Sequence, residues 1–350
     1  MLGICQPAEG RFDPVPGTRY QSAQNAAMAD GNLPLGDDSA AGLFQNPALL
    51  GKSRKSEFQP INFGIYGDMA LFNNITSATN FLNLPSYASV LQSSPGTSSG
   101  MGVSFVPTFS LKGIAVGVLV QGQFVASANA DGTLNYRTLY QVIPAVGTGF
   151  RLLNGAFRIG YSLQWVNQAS GTFTNVAVGS ASFNSGLFQG AGFSHTLGAA
   201  LILPTVMLPS FDFVVRNALN TAYTTSTFLH VSSGAVGAPA TETMSFDGSF
   251  SLHPRLGQGA VLNLIVVERD LTNVSGATAS ARLVVGAEMN LRDRVYLRGG
   301  YGGGYPAFGL GLRSSRGAEL SFSWYTEETG TISLSAPDTR VLMQYKIRSF

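Results

Sequence analysis

The sequence predicts an all-β protein, a transmembrane antiparallel up-and-down β-barrel of about 14 strands with an N-terminal hatch, or plug, segment in its lumen. Three observations support this prediction. Only 11% of the residues are charged although 45% are hydrophobic, no apolar run is long enough for a membrane helix, and most of the chain after residue 58 alternates between apolar and polar residues. Such alternation places the apolar residues on one face of a strand.

The shortage of charge indicates a surface that is not covered by water. A soluble domain carries roughly a quarter charged residues, and a chain of 350 residues would need them on its exterior. A bilayer-spanning helix needs roughly 18 or more consecutive apolar residues, yet residues 114–120 and 197–208, the most apolar runs, are short or broken by Pro204. Hydrocarbon admits only helices and closed barrels, so a membrane location requires a barrel.

The composition also excludes several kinds of site. The 42 glycines and the 12 Tyr, 23 Phe and 2 Trp suit barrel strands and aromatic girdles. A net charge of +2 without a run of Lys or Arg gives nucleic acid no electrostatic basis for binding. Cys5 is the only cysteine, which excludes a disulfide framework and a cysteine metal site, and no cofactor is expected. Leu2-Gly3-Ile4 matches a lipoprotein signal poorly, so we interpret the first ten residues as a trimmed or replaced leader.

The chain before residue 58 has no strand-like pattern. Residues 1–32 are small and polar and are predicted to be a flexible lead-in, whereas residues 33–57 are predicted to be the hatch. Within the hatch, Asp37-Asp38-Ser39 predicts a helix N-cap, and Pro47 limits the helix by restricting Asn46. The strands that follow form a lipid-facing wall, so the lumen is the remaining place for this segment.

Residues 58–350 are predicted to form the barrel. Long loops are expected near residues 68–99, 168–190, 221–243 and 326–338, and Leu153-Asn154-Gly155 predicts a tight hairpin. Short turns alternating with long loops are typical of a bacterial outer-membrane barrel.

Several charged residues alternate with apolar wall residues and are predicted to face the lumen. These are Arg137, Arg151, Arg158, Arg216, Arg282, Glu288 and Arg298. They could hold a carboxylate or a lipid phosphate. More often, such residues form a structural network that fills the interior and pairs with hatch acids such as Asp37 and Asp38. The pattern leaves both interpretations open.

Residues 36–48 read GDDSAAGLFQNPA, and a later meander contains VGAEM at 285–289, YLRGGY at 296–301 and GLGL at 309–312. These passages resemble the N-terminal hatch of the outer-membrane long-chain fatty-acid transporter family, the FadL type, and the closing meander of its shorter PorV-like relatives. The resemblance implies a barrel of about 14 strands with its N-terminal segment in the lumen. It also implies a route for hydrophobic molecules, with reduced ligand-collecting loops because the chain is shorter than typical transporters.

The Asn46-Pro47-Ala48 core of the hatch has two interpretations. It could be a ligand-gated latch, because a buried Asn side chain can pin a kinked segment to the wall. It could instead be a helix-ending turn that fills space. Asp37 and Asp38 are expected to cap a helix rather than bind a metal, because the other oxygen ligands of a calcium loop are absent.

Two functional hypotheses follow. In the first, the barrel binds or passes hydrophobic or lipid-like molecules through a plugged lumen. In the second, a non-transporting structural barrel self-associates, for example into a ring enclosing lipid, or scaffolds partner proteins. Membrane lipids are partners in both, and the terminal Phe350 suits recognition by the barrel-assembly machinery. Catalysis is not expected, because Ser194-His195 are neighbours in a strand and point to opposite faces.

Overall fold

Every strand of the protein pairs antiparallel with its neighbours, and the last strand returns to pair with the first. The computed structural model describes residues 19–36, 38–68, 91, 98–328 and 337–349. The strands, numbered in chain order, are β1 Glu57–Asp68, β2 Ser98–Phe105, β3 Thr108–Leu111, β4 Ile114–Ala128, β5 Thr133–Leu152, β6 Phe157–Ala177, β7 Phe188–Ile202, β8 Ser210–Arg216, β9 Ser245–Leu252, β10 Ala260–Glu268, β11 Leu283–Leu291, β12 Val295–Gly302, β13 Tyr305–Arg313, β14 Ala318–Glu328 and β15 Pro337–Ser349. The predicted closed barrel is confirmed.

The helices within the described residues are short. They are α1 Ala23–Ala27, α2 Ser39–Phe44, α3 Ala279–Arg282 and the 3-10 helices Pro47–Lys52, Leu153–Gly155 and Val178–Ser180. None of the helices within the described ranges is long and apolar enough to cross a membrane.

The barrel has 14 spanning strands, as predicted, because β2 and β3 are two halves of one strand. Both lie between β1 and β4, and Val106-Pro107 separates them. Pro107 has no N–H to give to a ladder. Val106 keeps its own hydrogen bond, donating to the Asn62 carbonyl at 2.8 Å, so the strand continues past the interruption.

Burial alternates along the strands as the sequence pattern predicts. In β1, Asn62 is fully buried, whereas the next residue, Phe63, is 41% exposed. Leu297, Leu310 and Met343 are exposed in the same way on β12, β13 and β15. Exposed apolar side chains on a transmembrane wall face hydrocarbon.

The two ends of the barrel differ. One end, the short-turn end, carries the turns at residues 112–113, 153–156, 203–209, 253–259, 292–294 and 314–317. The other, the long-loop end, carries the connection from 217 to 244, which agrees with the loop predicted at 221–243. The predicted tight hairpin is also confirmed, with Asn154 at φ 57° and Gly155 at φ 96°.

The loop predicted at 168–190 was too long. Strand β6 continues to Ala177 and β7 begins at Phe188, so most of the Ser- and Asn-rich stretch is strand. Pairing with β5 explains the difference, since partners such as Tyr136 and Phe173 stack with ring centroids 4.7 Å apart. Cross-strand packing outweighs weak local strand preference. The loops predicted at 68–99 and 326–338 lie mostly outside the described residues.

Residues 19–36 and 38–52, called here the N-terminal segment, pack against the inward faces of the strands. Helix α1 contacts β12 to β15, and the 3-10 helix Pro47–Lys52 contacts β5, β6 and β7. Residues 19–32, predicted to be lead-in, are mostly buried together with the rest of the segment. The segment therefore touches opposite sides of the barrel from within.

We expect Leu310→Arg to lower the free energy of unfolding by about 2–4 kcal/mol, because it places a cation on the lipid-facing wall. Leu310 is 38% exposed, and its neighbour Gly309 faces Ala27 in the lumen. Urea titration in liposomes, followed by the mobility of the folded barrel on gels, measures the change. Ser315→Arg, in the exposed turn after β13, is the control, and an equal loss there would contradict the assigned wall.

Candidate functional site: the hatch and the wall it meets

Asn46 joins the N-terminal segment to itself and to the wall. It caps the 3-10 helix, accepting from the Ala48 N–H at 3.1 Å, and Pro47 occupies the first helical position. Its amide donates to the Leu33 carbonyl at 3.1 Å and reaches the Asp212 carboxylate on β8 at 3.4 Å. Asn46 is fully buried. Its side chain thus uses both its donor and its acceptor, as a pinned turn requires.

Two glycines in the wall make room for this turn. Gly160 and Gly198 pair across β6 and β7. A Cβ atom at Gly198 would lie 2.4 Å from Asn46 Oδ1, and one at Gly160 would lie 2.1 Å from the Pro47 carbonyl oxygen. The hatch backbone therefore lies directly on the strand backbone.

Asp38 is the N-cap of α2, as the sequence predicts. One carboxylate oxygen accepts from the Ala41 N–H at 2.8 Å, and the other lies 2.7 Å from Lys346 Nζ and 4.0 Å from Arg348. Asp37 lies outside the described residues. The residues that the structure describes contain no group of three or more potential metal ligands.

Three of the predicted lumen residues take part in contacts with the N-terminal segment. Arg216 pairs with Asp247 at 2.7 Å and donates to the Gln45 carbonyl at 3.3 Å. Arg298 pairs with Glu288 at 2.7 Å, and the same carboxylate accepts from Gln24 at 3.0 Å. Each pair is almost fully buried. The wall and the segment are thus joined through shared charged groups.

The remaining lumen candidates differ in position, and Arg151 is exposed at the end of β5, where it donates to the Asn154 carbonyl at 2.8 Å. Arg137 lies opposite the buried Val125 and Arg158 opposite the buried Ala200, so both follow the inward register. Arg282 lies in α3, before β11 rather than in it. There it donates to the Asp270 carbonyl at 2.7 Å and lies 3.7 Å from Glu268.

Arg19, which the sequence did not single out, anchors the start of the described segment. It pairs with Glu242 and donates to Asn217 at 2.9 Å, to Ser194 at 3.0 Å and to Gln164 at 3.1 Å. Ser194 therefore points inward, whereas His195 binds the Tyr161 hydroxyl at 2.7 Å on the outward face. Their separation agrees with the expectation that they cannot act as a catalytic pair.

A second Ser–His arrangement was missed. Ser251 Oγ lies 2.9 Å from His253 Nε2, and His253 Nδ1 lies 2.8 Å from Asn263 Oδ1. Asn263 donates in turn to Glu288 at 3.0 Å. The spacing of two residues, which places both groups on one strand face, was the available signal. Burial lowers the pKa of His253, and Ser251 is fully buried. The hydrogen bonds that run from Ser251 through His253 and Asn263 to Glu288 extend the buried Glu288–Arg298 pair.

The outer wall carries an apolar depression of about 550 Å³ near the interrupted strand. Val118 of β4 lies between two prolines there: it pairs with Pro144 on β5, and its N–H donates to the Pro107 carbonyl at 3.1 Å. The depression is lined by Phe58, Pro107, Thr108, Phe109, Val116, Gly117, Val118, Pro144, Ala145, Val146, Leu163, Trp165 and Phe193.

The hatch lies directly behind this depression. A Cβ atom at Gly117 would lie 3.0 Å from Leu43 Cδ1, and one at Gly147 would lie 2.8 Å from Leu50 Cδ1. Leu43 and Leu50 belong to the same buried apolar cluster as Ala145. At Gly117, only the strand backbone therefore separates the hatch leucines from the lipid-facing surface. The alternation of apolar and polar residues in the sequence does not predict this contact.

Comparison with solved structures identifies the architecture. The Pseudomonas putida toluene transporter TodX is similar over 93% of this chain and 97% of its own, with a TM-score of 0.55 and 11% identity. The Ralstonia pickettii toluene transporter TbuX is similar over 94% and 98%, with a TM-score of 0.52 and 12% identity. A Pseudomonas aeruginosa FadL homologue is similar over 96% and 98%, with a TM-score of 0.50 and 10% identity. The fold is that of the FadL-type transporters.

The structures similar to this chain are transporters and channels rather than enzymes. No family model matches the sequence, and no curated protein matches it. The FadL-type resemblance seen in the hatch and the meander is confirmed at the level of fold, and the relation to PorV-like proteins stays a prediction.

We expect Gly198→Ala to displace the Asn46 turn from the wall, because the new methyl group would meet Asn46 Oδ1. Amide hydrogen exchange in residues 44–52 should then be faster while the strands stay protected. Gly299→Ala is the control, since its Cβ would find only ordinary contacts at 3.8 Å or more. Equal protection of residues 44–52 in both variants would refute the close approach.

We expect Asp38→Asn to destabilise the N-terminal segment by up to about 3–5 kcal/mol, because Asn still caps α2 but removes the carboxylate that lies 2.7 Å from the buried Lys346 ammonium. Resistance of residues 19–52 to protease in folded barrels measures this. Adding Lys346→Met should recover part of the loss by removing the buried cation that pairs with Asp38. Full resistance in the single variant would show that the ion pair is dispensable.

Proposed function

We propose that the protein is a bacterial outer-membrane barrel that binds and passes hydrophobic or lipid-like small molecules, with the N-terminal segment as its plug. The observation that carries this proposal is the thin wall at Gly117, where the apolar depression outside and the hatch leucines inside meet across backbone alone. Two apolar surfaces on either side of one strand offer a path that a charged solute would not follow.

The size and lining of the depression suit a small apolar ligand. Ligand sites commonly enclose roughly 300–1,000 Å³ with mostly apolar walls, and this one measures about 550 Å³ with Phe109, Trp165 and Phe193 among its lining residues. Burial of apolar area contributes about 25 cal/mol per Å². A single-ring hydrocarbon or part of an acyl chain would therefore gain useful affinity.

The names of the similar structures agree with this ligand class. TodX and TbuX are described as toluene transporters, and CymD as a monoaromatic hydrocarbon channel. Those substrates belong to those proteins. For this chain, the shared fold supports hydrophobic transport in general, and the choice between an aromatic ring and an acyl chain is left to experiment.

The hatch residues Asp37, Asp38, Asn46, Pro47 and Ala48 are proposed to keep the plug closed. Asn46 provides the restraint nearest the wall, and Asp38 provides the ionic one. Arg216, Glu288 and Arg298 are proposed as the structural network that holds the plug. Release of the turn at Asn46 would move Leu43 and Leu50 away from Gly117 and Gly147 and connect the depression to the lumen.

We expect Val118→Trp to reduce uptake of a hydrophobic permeant at least about fivefold, because the indole would occupy the apolar depression without reaching the hatch. Uptake of radiolabelled toluene and of oleate is measured in cells producing equal amounts of folded barrel. Val285→Trp is the matched control, since Val285 is 49% exposed on β11, away from the depression.

Reduced uptake of toluene alone would identify a ring-sized ligand, whereas reduced uptake of oleate alone would identify an acyl chain. If uptake by the unmodified barrel equals that of cells without it, the transport proposal fails and the structural-barrel hypothesis takes its place.

A further inference from the structure

Exposed basic side chains are confined to one end of the barrel. Within the described residues, every Lys or Arg that is exposed to solvent lies at or next to the short-turn end. They are Lys52, Arg54, Lys55, Lys112, Arg151, Arg255, Arg292, Arg294 and Arg316. At the long-loop end of the described chain, the Arg side chains are buried or half-buried, as in Arg269, Arg282 and Arg340.

Acidic residues do not balance this charge. Asp293 is exposed and Glu57 half-exposed at the short-turn end, and the buried Glu319 there is paired with Arg313 and Arg348. The segments 69–97 and 329–336 contain no Asp, Glu, Lys or Arg. The separation of charge therefore does not depend on those parts of the chain.

The basic residues surround the barrel rather than forming one patch. Lys112 lies between β3 and β4, Arg151 at the β5–β6 turn, Arg255 between β9 and β10, Arg292 between β11 and β12, and Arg316 between β13 and β14. Each turn follows directly after a strand whose outward side chains face lipid. These five turns carry cations at the height of the bilayer headgroups around most of the barrel, and the β7–β8 turn at residues 203–209 carries none.

Exposed apolar residues occur in the same turns. Leu153 is 77% exposed, Val206 92%, Met207 50% and Leu256 48%. These exposed apolar turn residues, called here the apolar tips, alternate with cations, as on surfaces that lie in a lipid interface. There the apolar groups enter the region of the acyl chains, and the cations remain at the phosphates. An acidic protein partner would not account for the apolar tips or for cations that are spread over five separate turns.

We propose that the short-turn end binds the anionic phospholipid headgroups of the adjoining leaflet. The basic ring recognises their phosphates, and the apolar tips lie between their chains. Each cation near an anionic membrane surface adds to the attraction, and the attraction weakens within a Debye length as salt increases. This inference is independent of the proposed transport function, because the turn cations on which it rests, Lys112, Arg151, Arg255, Arg292 and Arg316, lie outside the hatch and the depression.

Lipid retention tests the inference. The full-length barrel, purified in mild non-ionic detergent, is mixed with equal amounts of phosphatidylglycerol and phosphatidylcholine of identical acyl chains, and retained lipid is quantified by mass spectrometry. We expect phosphatidylglycerol to be enriched about threefold or more at low salt, and the enrichment to disappear near about 0.5 M NaCl, where the Debye length is only a few Å.

A variant with Lys112→Gln, Arg151→Gln, Arg292→Gln and Arg316→Gln should retain the two lipids almost equally. The matched control exchanges charge for charge at the same positions, with Lys112→Arg, Arg151→Lys, Arg292→Lys and Arg316→Lys, and should keep the enrichment. Folding of both is checked by heat-modified mobility on gels. If the Gln variant does not fold, the salt titration of the unmodified barrel decides.

Three results would overturn the proposal. Equal retention of both lipids by the unmodified barrel would show that the ring does not select anionic headgroups. Enrichment that survives the Gln variant would place the selectivity elsewhere. Loss of the enrichment on addition of millimolar inorganic phosphate at constant ionic strength would identify a site for soluble anions instead of a lipid-binding rim.

Discussion

The requirement that backbone polar groups be paired within hydrocarbon underlies the whole structure. An open sheet would leave a row of N–H and C=O groups in lipid, so the first and last strands must meet, and β1 and β15 pair over most of their length. The interruption at Val106-Pro107 respects this rule. Pro107 and Pro144 have no N–H to leave unpaired, and the Val118 N–H still finds the Pro107 carbonyl. At this interruption the backbone N–H groups of Val106 and Val118 therefore keep their hydrogen bonds.

Closure creates a second constraint, because a barrel of this size is too wide for its own side chains to fill. The N-terminal segment packs against the inward faces of the strands, and glycines such as Gly160 and Gly198 let it approach the wall. The inward faces carry both polar and apolar residues, so the contacts include hydrogen bonds and ion pairs as well as buried apolar clusters, such as the one that joins Leu43 and Leu50 to Ala145. Buried charges are tolerated only when paired, which the Arg216–Asp247 and Arg298–Glu288 pairs satisfy.

Much of the fold followed from the sequence because period-two alternation reports directly which face meets lipid. The cap at Asp38 and the hairpin at Asn154 were likewise local properties of a few neighbouring residues. Longer-range features were less accessible. The strand from 168 to 177 depends on pairing with β5, which no local propensity records. Arg282 was placed in a strand by its alternation, yet α3 starts three residues before it.

The candidate site was predictable only on the hatch side. Asn46-Pro47 marks a pinned turn in the sequence itself, but its partners Leu33 and Asp212 become neighbours only after the chain has folded into the lumen. The relay from Ser251 through His253 to Asn263 also needed the register of β9 and β10 to appear. The two-residue spacing of Ser251 and His253 was the only local signal, and the sheet register supplied the contact with Asn263.

By itself, the sequence determined that this protein is a transmembrane β-barrel, because alternation, low charge and the lack of long apolar runs are properties of the chain alone. Tertiary structure alone decided where the wall is thin and where the cations gather. Both depend on strand register and closure. These place Gly117 against Leu43 and bring the cations of separate turns to the short-turn end. Residues far apart in sequence acquire these relations only when the backbone ladder has closed.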